Sequence, residues 1–173
     1  MDTAPDVRHT VIATELCPLV VVATGDTLTG LRFERSMTPA TPPPGRRVET
    51  DDDSLLDRAR AQVVEYLSGR RREFDLPLAT HGDDFSERTW ALLHTIGYGE
   101  TTTYGAIAEE LGNRQLAQRV GQVVGRNPIA IIIPCHRVIG ADGSLVGFGG
   151  GLDRKRRLLD LEEPPERRAE RLF

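Results

Sequence analysis

The chain has 173 residues, 39% of them hydrophobic and 28% charged, with a net charge of −4, which is the make-up of a soluble globular protein of one ordinary or two small domains. No apolar run approaches the roughly 20 residues that span a bilayer, the start MDTAPDVRHT lacks the basic and apolar segments of a secretion signal, and two cysteines make no disulfide framework, so a reducing cytoplasmic setting is expected. The charge is uneven: residues 1–84 carry −5 and residues 85–173 carry +1, so a polyanion would meet the second half.

In chain order, the first half reads as a small α/β unit over residues 1–80. HTVIATELCPLVVVATGDTLTGLRF, rich in Val, Ile, Thr and Leu and broken at Pro18 and at Thr24-Gly25-Asp26, predicts a short strand meander. Ser36 to Ser54 holds four prolines and an acidic cluster and predicts an exposed, mobile loop. Leu55, Leu56, Ala59, Val63, Tyr66 and Leu67 recur at helical spacing until Gly69, and FDLPLATHGDD then reads as a linker.

Residues 81–173 read as mostly helical. Ser86 is the expected N-cap of a helix carrying Trp90, Leu93 and Ile96 on one face and stopping at Gly97. A short helix, YGAIAEEL, ends at Gly112, and QLAQRVGQVVG starts another, the helix-turn-helix pattern that many helical folds share. IAIII predicts a strand apolar on both faces, the Gly-rich GADGSLVGFGGG a loop, and DRKRRLLDLE the last helix. The fold class expected is therefore α+β, with an active-site strand in the second domain.

Cys17, beside a strand break with no polar neighbour, reads as an inert filler. Cys135 ends an apolar run, which places it at a rim, and it is followed by His136 and Arg137, cations of the kind that lower a thiol's pKa. A Cys-His pair by itself fits either a buried thiol or a nucleophile. His9, His81, His94 and Cys17 show no paired ligand spacing, so neither a metal nor another cofactor is expected. The basic run Asp153 to Arg157 reads equally as a solvated helix face or as a patch contacting phosphates.

TTYGAIA, GRNPIAIIIPCHRVIG and GFGGGLDRKRRLLDLE, in this order and spacing, closely resemble the signature of the O6-alkylguanine-DNA alkyltransferases, single-turnover repair proteins that move an alkyl group from guanine to their own cysteine. The strands and YLSGRRREFDLPL of the first half are similar to the small domain of that family. The resemblance implies that Cys135 accepts the alkyl group, that His136 takes the thiol proton through a water, and that Glu162 orients the histidine. It implies that Tyr104 donates to ring nitrogen 3 of the flipped guanine, that Asn127 braces the turn before the cysteine, and that Val138, Phe148 and Gly149 wall the base pocket. DNA contacts fall to Arg114, Gln115, Gln118, Arg119 and Arg126. The implied partner is double-stranded DNA containing O6-alkylguanine, bound through the minor groove by a protein that is monomeric in solution and able to assemble cooperatively on DNA. No membrane partner is implied.

The chemistry is consistent with these roles. An alkyl carbon on O6 is a poor electrophile, so the sulfur must be a thiolate and the leaving purine must meet donors already in place. The target atom lies inside a duplex, so the nucleotide must be turned out of the stack. Two positions depart from the family pattern: Gln118 stands where an arginine commonly fills the gap left by the flipped base, and Phe148 stands where many relatives carry tyrosine. A non-catalytic sensor of alkylated DNA would lack the acceptor cysteine, whereas Cys135, His136 and Glu162 are all present. A cysteine hydrolase of small esters has only the Cys-His pair in its favour.

Overall fold

The computed structural model describes residues 3–34 and 45–172. They form two compact units, Met1–Gly82 with Pro128–Ile132, and Asp83–Asn127 with Ile133–Phe173. Between Asn127 and Ile133 the chain thus leaves the second unit and returns to it.

In the first unit, β1 (Val7–Ile12), β2 (Leu19–Thr24) and β3 (Thr27–Phe33) form the expected antiparallel meander, with Gly25 at φ 56 in the tight β2–β3 turn. That left-handed backbone is one that glycine adopts at little cost. The sheet runs in the order β3-β2-β1-β4, where β4 (Arg46–Arg47) pairs in parallel with β1. The segment expected to be a mobile loop therefore holds, in its described part, an edge strand and a 3-10 turn at Thr50–Asp52, while residues 36–44 of it lie outside the described residues. Leu19, Val21, Leu28 and Leu31 of the sheet are buried, as are Leu56, Ala59, Val63 and Tyr66 of α1 (Ser54–Leu67). The Asp53 side chain caps α1 by accepting from the Leu56 amide and also pairs with Arg8 of β1.

FDLPLATHGDD is more than a linker. The Leu28 amide donates to the Pro77 carbonyl at 2.8 Å and the Ala79 amide to the Leu28 carbonyl at 2.9 Å, so this stretch lies alongside β3.

The second unit contains α2 (Asp84–His94), α3 (Tyr104–Glu110), α4 (Ala117–Gly125), α5 (Leu152–Glu162) and α6 (Pro165–Arg171). The N-cap of α2 is Asp83, which accepts from the Ser86 amide, and not Ser86; an aspartate three residues upstream satisfies the first-turn amides equally well. The helix ends at His94, three residues before Gly97. Thr103 caps α3, and Gly112 at φ 108 reverses the chain into a 3-10 turn, Arg114–Leu116, that leads into α4. Trp90, Leu93, Ile107, Ala108, Val120, Val123 and Val124 are buried, and the Trp90 indole donates to the Val123 carbonyl at 3.1 Å, which ties α2 to α4. β5 (Thr102–Thr103) and β6 (Val138–Ile139) make a short parallel pair.

The expected active-site strand over Ile129–Ile133 is not formed. Ile129 makes one isolated bridge with Leu31, and the chain then turns. The Ile132 amide donates to the Ala130 carbonyl at 2.8 Å around Ile131, whose φ is 70, and the Cys135 amide donates to the Ile133 carbonyl at 2.8 Å around Pro134, at φ −81 and ψ 65. These are two γ-turns of opposite hand. The β-branched residues suggested a strand because they are apolar; here they are buried as a turn.

Removing the α1 cap tests this reading of the first unit. Asp53→Ala loses both the cap and the Arg8 pair, so the urea midpoint should fall by the equivalent of about 1–2 kcal/mol; a change below about 0.5 kcal/mol would assign the cap no role.

Candidate active site

Cys135 opens a 3-10 turn, Cys135–Arg137, that follows the Pro134 γ-turn and leads into β6. The Arg137 amide closes it on the Pro134 carbonyl at 3.1 Å. The Asn127 side-chain amide donates to the Ile133 carbonyl at 2.7 Å, joining the two points where the chain leaves and re-enters the second unit. Cys135, His136, Arg137 and Val138 are all buried, so the expected rim position is corrected to an enclosed one.

Burial pushes the Cys135 thiol up. A hydrogen bond from Asn127, the Lys155 charge and the amides of Cys135 and His136 act in the opposite direction, each favouring the thiolate. Lys155 is central in the basic run Asp153 to Arg157, which reads as a solvated face or a phosphate-contacting patch, yet it is fully buried, and its ammonium donates to the Val146 carbonyl at 2.9 Å and the Gly147 carbonyl at 3.4 Å. Burial lowers its pKa, while the Cys135 charge raises it.

His136 is fully buried, with Nε2 2.9 Å from Oε1 of Glu162. Burial lowers its pKa, which keeps the ring neutral, and Glu162 partly offsets this. Glu162, the last residue of α5, is 2% exposed. Burial alone would raise its pKa, but hydrogen bonds from His136 and Arg137 hold it down to about 2.

Arg137 is the residue that sequence reading placed wrongly. It seemed a cation for the thiol; instead Nε and Nη2 donate to the two carboxylate oxygens of Glu162, each at 2.8 Å, and Nη1 donates to the Ile96 carbonyl at 2.5 Å. The available signal was an arginine set, with His136, inside the mostly apolar run from Ile131 to Ile139. Tyr98, also unmarked by the sequence, donates to the Leu161 carbonyl at 3.2 Å. Gly99, at φ 79, brings the chain so close that a Cβ there would lie 3.0 Å from the Glu162 carbonyl.

Tyr104, at the start of α3, is half-buried, and its hydroxyl donates to the Val146 carbonyl at 2.9 Å. Burial and the nearby Cys135 charge raise its pKa, so it is a phenol and a donor at neutral pH. Phe148 is half-buried and Gly149 exposed in the loop between β6 and α5, where Gly147 and Gly151 take positive φ. The structure thus collects Cys135, His136, Glu162, Asn127 and Tyr104 around one turn, together with Lys155 and Arg137.

Arg114, Gln115, Gln118, Arg119 and Arg126 are all exposed on the 3-10 turn and α4, or immediately after them. The Arg119 guanidinium lies 3.9 Å over the Phe85 ring, and Arg114 pairs with Glu109 at 3.4 Å. Among the described residues no cluster of His, Cys, Asp or Glu could hold a metal ion, and no helix is long and apolar enough to cross a membrane.

Residues 84–164 match the family described as 6-O-methylguanine DNA methyltransferase, DNA binding domain, and residues 7–80 match its ribonuclease-like domain. The chain belongs to the O6-methylguanine DNA methyltransferase family. It is 45% identical over 157 residues to a methylated-DNA--protein-cysteine methyltransferase of Mycobacterium bovis, covering 91% of this chain and 93% of that one. It is 52% identical over 123 residues to the protein of that name from Methanosarcina barkeri, covering 68% of this chain and 78% of that one. A crystal structure of Mycobacterium tuberculosis OGT in complex with DNA superposes with a TM-score of 0.78 at 42% identity, over 92% of this chain and 96% of that one.

For the methyltransferase site, the depressed pKa of Glu162 has a defined sign. A carboxylate whose folded pKa lies below its unfolded value adds stability above the unfolded value, near 4.5, that is lost as pH falls toward the folded value of about 2. The stability gap between the unmodified protein and Glu162→Gln should therefore be widest above pH 4.5 and shrink by roughly 2–3 kcal/mol on approaching pH 2. Urea titrations at stepped pH measure it, and a gap independent of pH would contradict the ionised carboxylate.

Proposed function

We propose that this chain repairs O6-alkylated guanine in DNA by moving the alkyl group to Cys135, once per molecule. The protein is a DNA alkyltransferase, and the observation that carries the assignment of residues is the buried array of Cys135, His136 and Glu162. With Nε2 donating to Glu162, Nδ1 of His136 is the nitrogen that takes the thiol proton, through a water. The sulfur then attacks the alkyl carbon, an S–C bond forms, and the electron pair of the broken C–O bond stays with the purine. Tyr104 stabilises that purine as it leaves by donating to ring nitrogen 3.

Tyr104 must first give up its bond to the Val146 carbonyl. Lys155 also donates to that carbonyl, so the loop stays held at Val146 after the phenol turns to the base. Asn127 holds the turn in place, and Val138, Phe148 and Gly149 form the pocket walls. Glycine at 149, with open space where a Cβ would lie, leaves room for a planar base beside the backbone.

DNA is bound through the minor groove by the face carrying Arg114, Gln115, Gln118, Arg119 and Arg126, and the protein acts as a monomer in the cytoplasm. The first domain, 1–80, is structural, and the second, 81–173, carries the chemistry. Gln118, on the exposed face at the start of α4, enters the stack in place of the flipped base. Arg119 is less suited to that role because its guanidinium is already stacked on Phe85 and attracted to Asp83.

Two measurements test this reading. Incubation with a duplex containing O6-methylguanine should add one methyl to the intact mass, with equimolar repair and no turnover, and Cys135→Ser should add none while still binding the duplex; methylation elsewhere would refute the assignment. Gln118→Ala should slow repair of duplex roughly tenfold or more while leaving transfer from the free base O6-benzylguanine unchanged. If Arg119→Ala gives that duplex-specific loss and Gln118→Ala does not, α4 is used in a different register.

A further inference from the structure

We propose that Arg137 is a positioning residue for alkyl transfer: its two-pronged grip on Glu162 fixes the carboxylate against His136 and keeps His136 a neutral base. The proposal rests on the reading of His136 as the group that takes the thiol proton.

The geometry makes Arg137 more than a stabilising neighbour. Its side chain is 9% exposed and that of Glu162 is 1% exposed, so the pair is removed from water. Both carboxylate oxygens accept from the guanidinium at 2.8 Å, and the third nitrogen donates to the Ile96 carbonyl. This fork fixes the carboxylate plane, as a single ammonium would not. Oε1 then accepts from both Arg137 and His136, so the direction in which Glu162 holds the imidazole is set by the guanidinium.

Charge balance gives the second effect. The groups facing His136 are Glu162 and Lys155 from α5, and Arg137 and Cys135 from its own turn, with Tyr104 of α3 facing Cys135 beyond. With Arg137 cationic and Glu162 anionic, the pair sums to zero and a neutral imidazole is the balanced state. Without Arg137, a buried carboxylate beside a histidine reaches balance by protonating that histidine. An imidazolium has no lone pair on Nδ1 to receive the thiol proton. Arg137 therefore sustains the base by supplying Glu162 with a positive charge that His136 would otherwise have to carry.

The two effects separate by substitution. Arg137→Lys keeps the charge and loses the fork; Arg137→Met loses both; Arg137→Met with Glu162→Gln removes both charges and guards against misfolding from an unpaired buried carboxylate. The probe is transfer from O6-benzylguanine as a free base, followed from pH 4.5 to 9, with the His136 ring titrated in parallel by NMR.

Arg137→Lys should lower the plateau rate roughly tenfold with little movement of the acid limb. Arg137→Met should move that limb, and the His136 titration with it, up by about one pH unit or more, a roughly tenfold loss of rate below the limb. The double variant should return both toward low pH. Unchanged plateau and limb in both single variants would overturn the proposal, as would a limb in the double variant that stays where Arg137→Met puts it. If instead the acid limb of the unmodified protein does not coincide with its His136 titration, the reading of His136 as the base fails, and the proposal with it.

Discussion

A carboxylate taken out of water stays ionised only if its surroundings replace the lost hydration, and at Glu162 that replacement comes from Arg137 and His136 together. The rest of the site follows from this ion pair. Because Glu162 ends α5 and Arg137 ends the turn carrying Cys135, the interaction joins the last turn of one helix to the reactive segment. Because Arg137 also reaches the Ile96 carbonyl, the loop after α2 is held at the same point, and Tyr98 and Gly99 fit their backbone and ring against the end of α5. The histidine between these anchors is fixed without any strand or long helix of its own.

The path of the chain into the cysteine is equally constrained. Two γ-turns of opposite hand, centred on Ile131 and Pro134, deliver Cys135 to a 3-10 turn, and Asn127 spans the excursion by donating to Ile133. A positive φ at an isoleucine costs backbone energy, on the order of 1–3 kcal/mol, that surrounding packing must offset. Ile131 is 1% exposed, and its buried side chain supplies apolar contact of comparable size. The sulfur thus occupies a position set by backbone hydrogen bonds, and its reactivity is set by charges placed around it: Lys155 from α5 and the amides of its own turn, all acting against burial.

Much of the fold was legible because it rests on local signals. Pro18, the turn at Gly25, the apolar spacing of α1 and the glycine after α3 each mark a boundary in the residues themselves. The chemistry-bearing block was legible through its resemblance to a family, to which the chain belongs, and within it Cys135 and His136 are buried and His136 pairs with Glu162. What escaped had distant causes. The Ile129–Ile133 run looks like a strand because its residues favour one, and the i to i+2 hydrogen bonds that bend it leave no pattern in sequence. Lys155 sits among four charged neighbours and reads as solvated, although its helical face turns inward to the loop carbonyls. Arg137 reads as the partner of the residue two before it, while its actual partner lies 25 positions ahead. α6, which Pro164 caps and Pro165 begins, lies beyond the helix expected to be the last.

An ionised Glu162 deep in the second unit anchors the site, and its own titration tests that most directly. With the glutamate side-chain carboxyl carbons labelled, carbon NMR should show the Glu162 signal keeping its ionised shift down through the range where exposed glutamates protonate, with a midpoint near 2. A midpoint at or above the ordinary value of 4.5 would mean that the carboxyl is not held by Arg137 and His136, and the proposed relay to Cys135 would have no anchor.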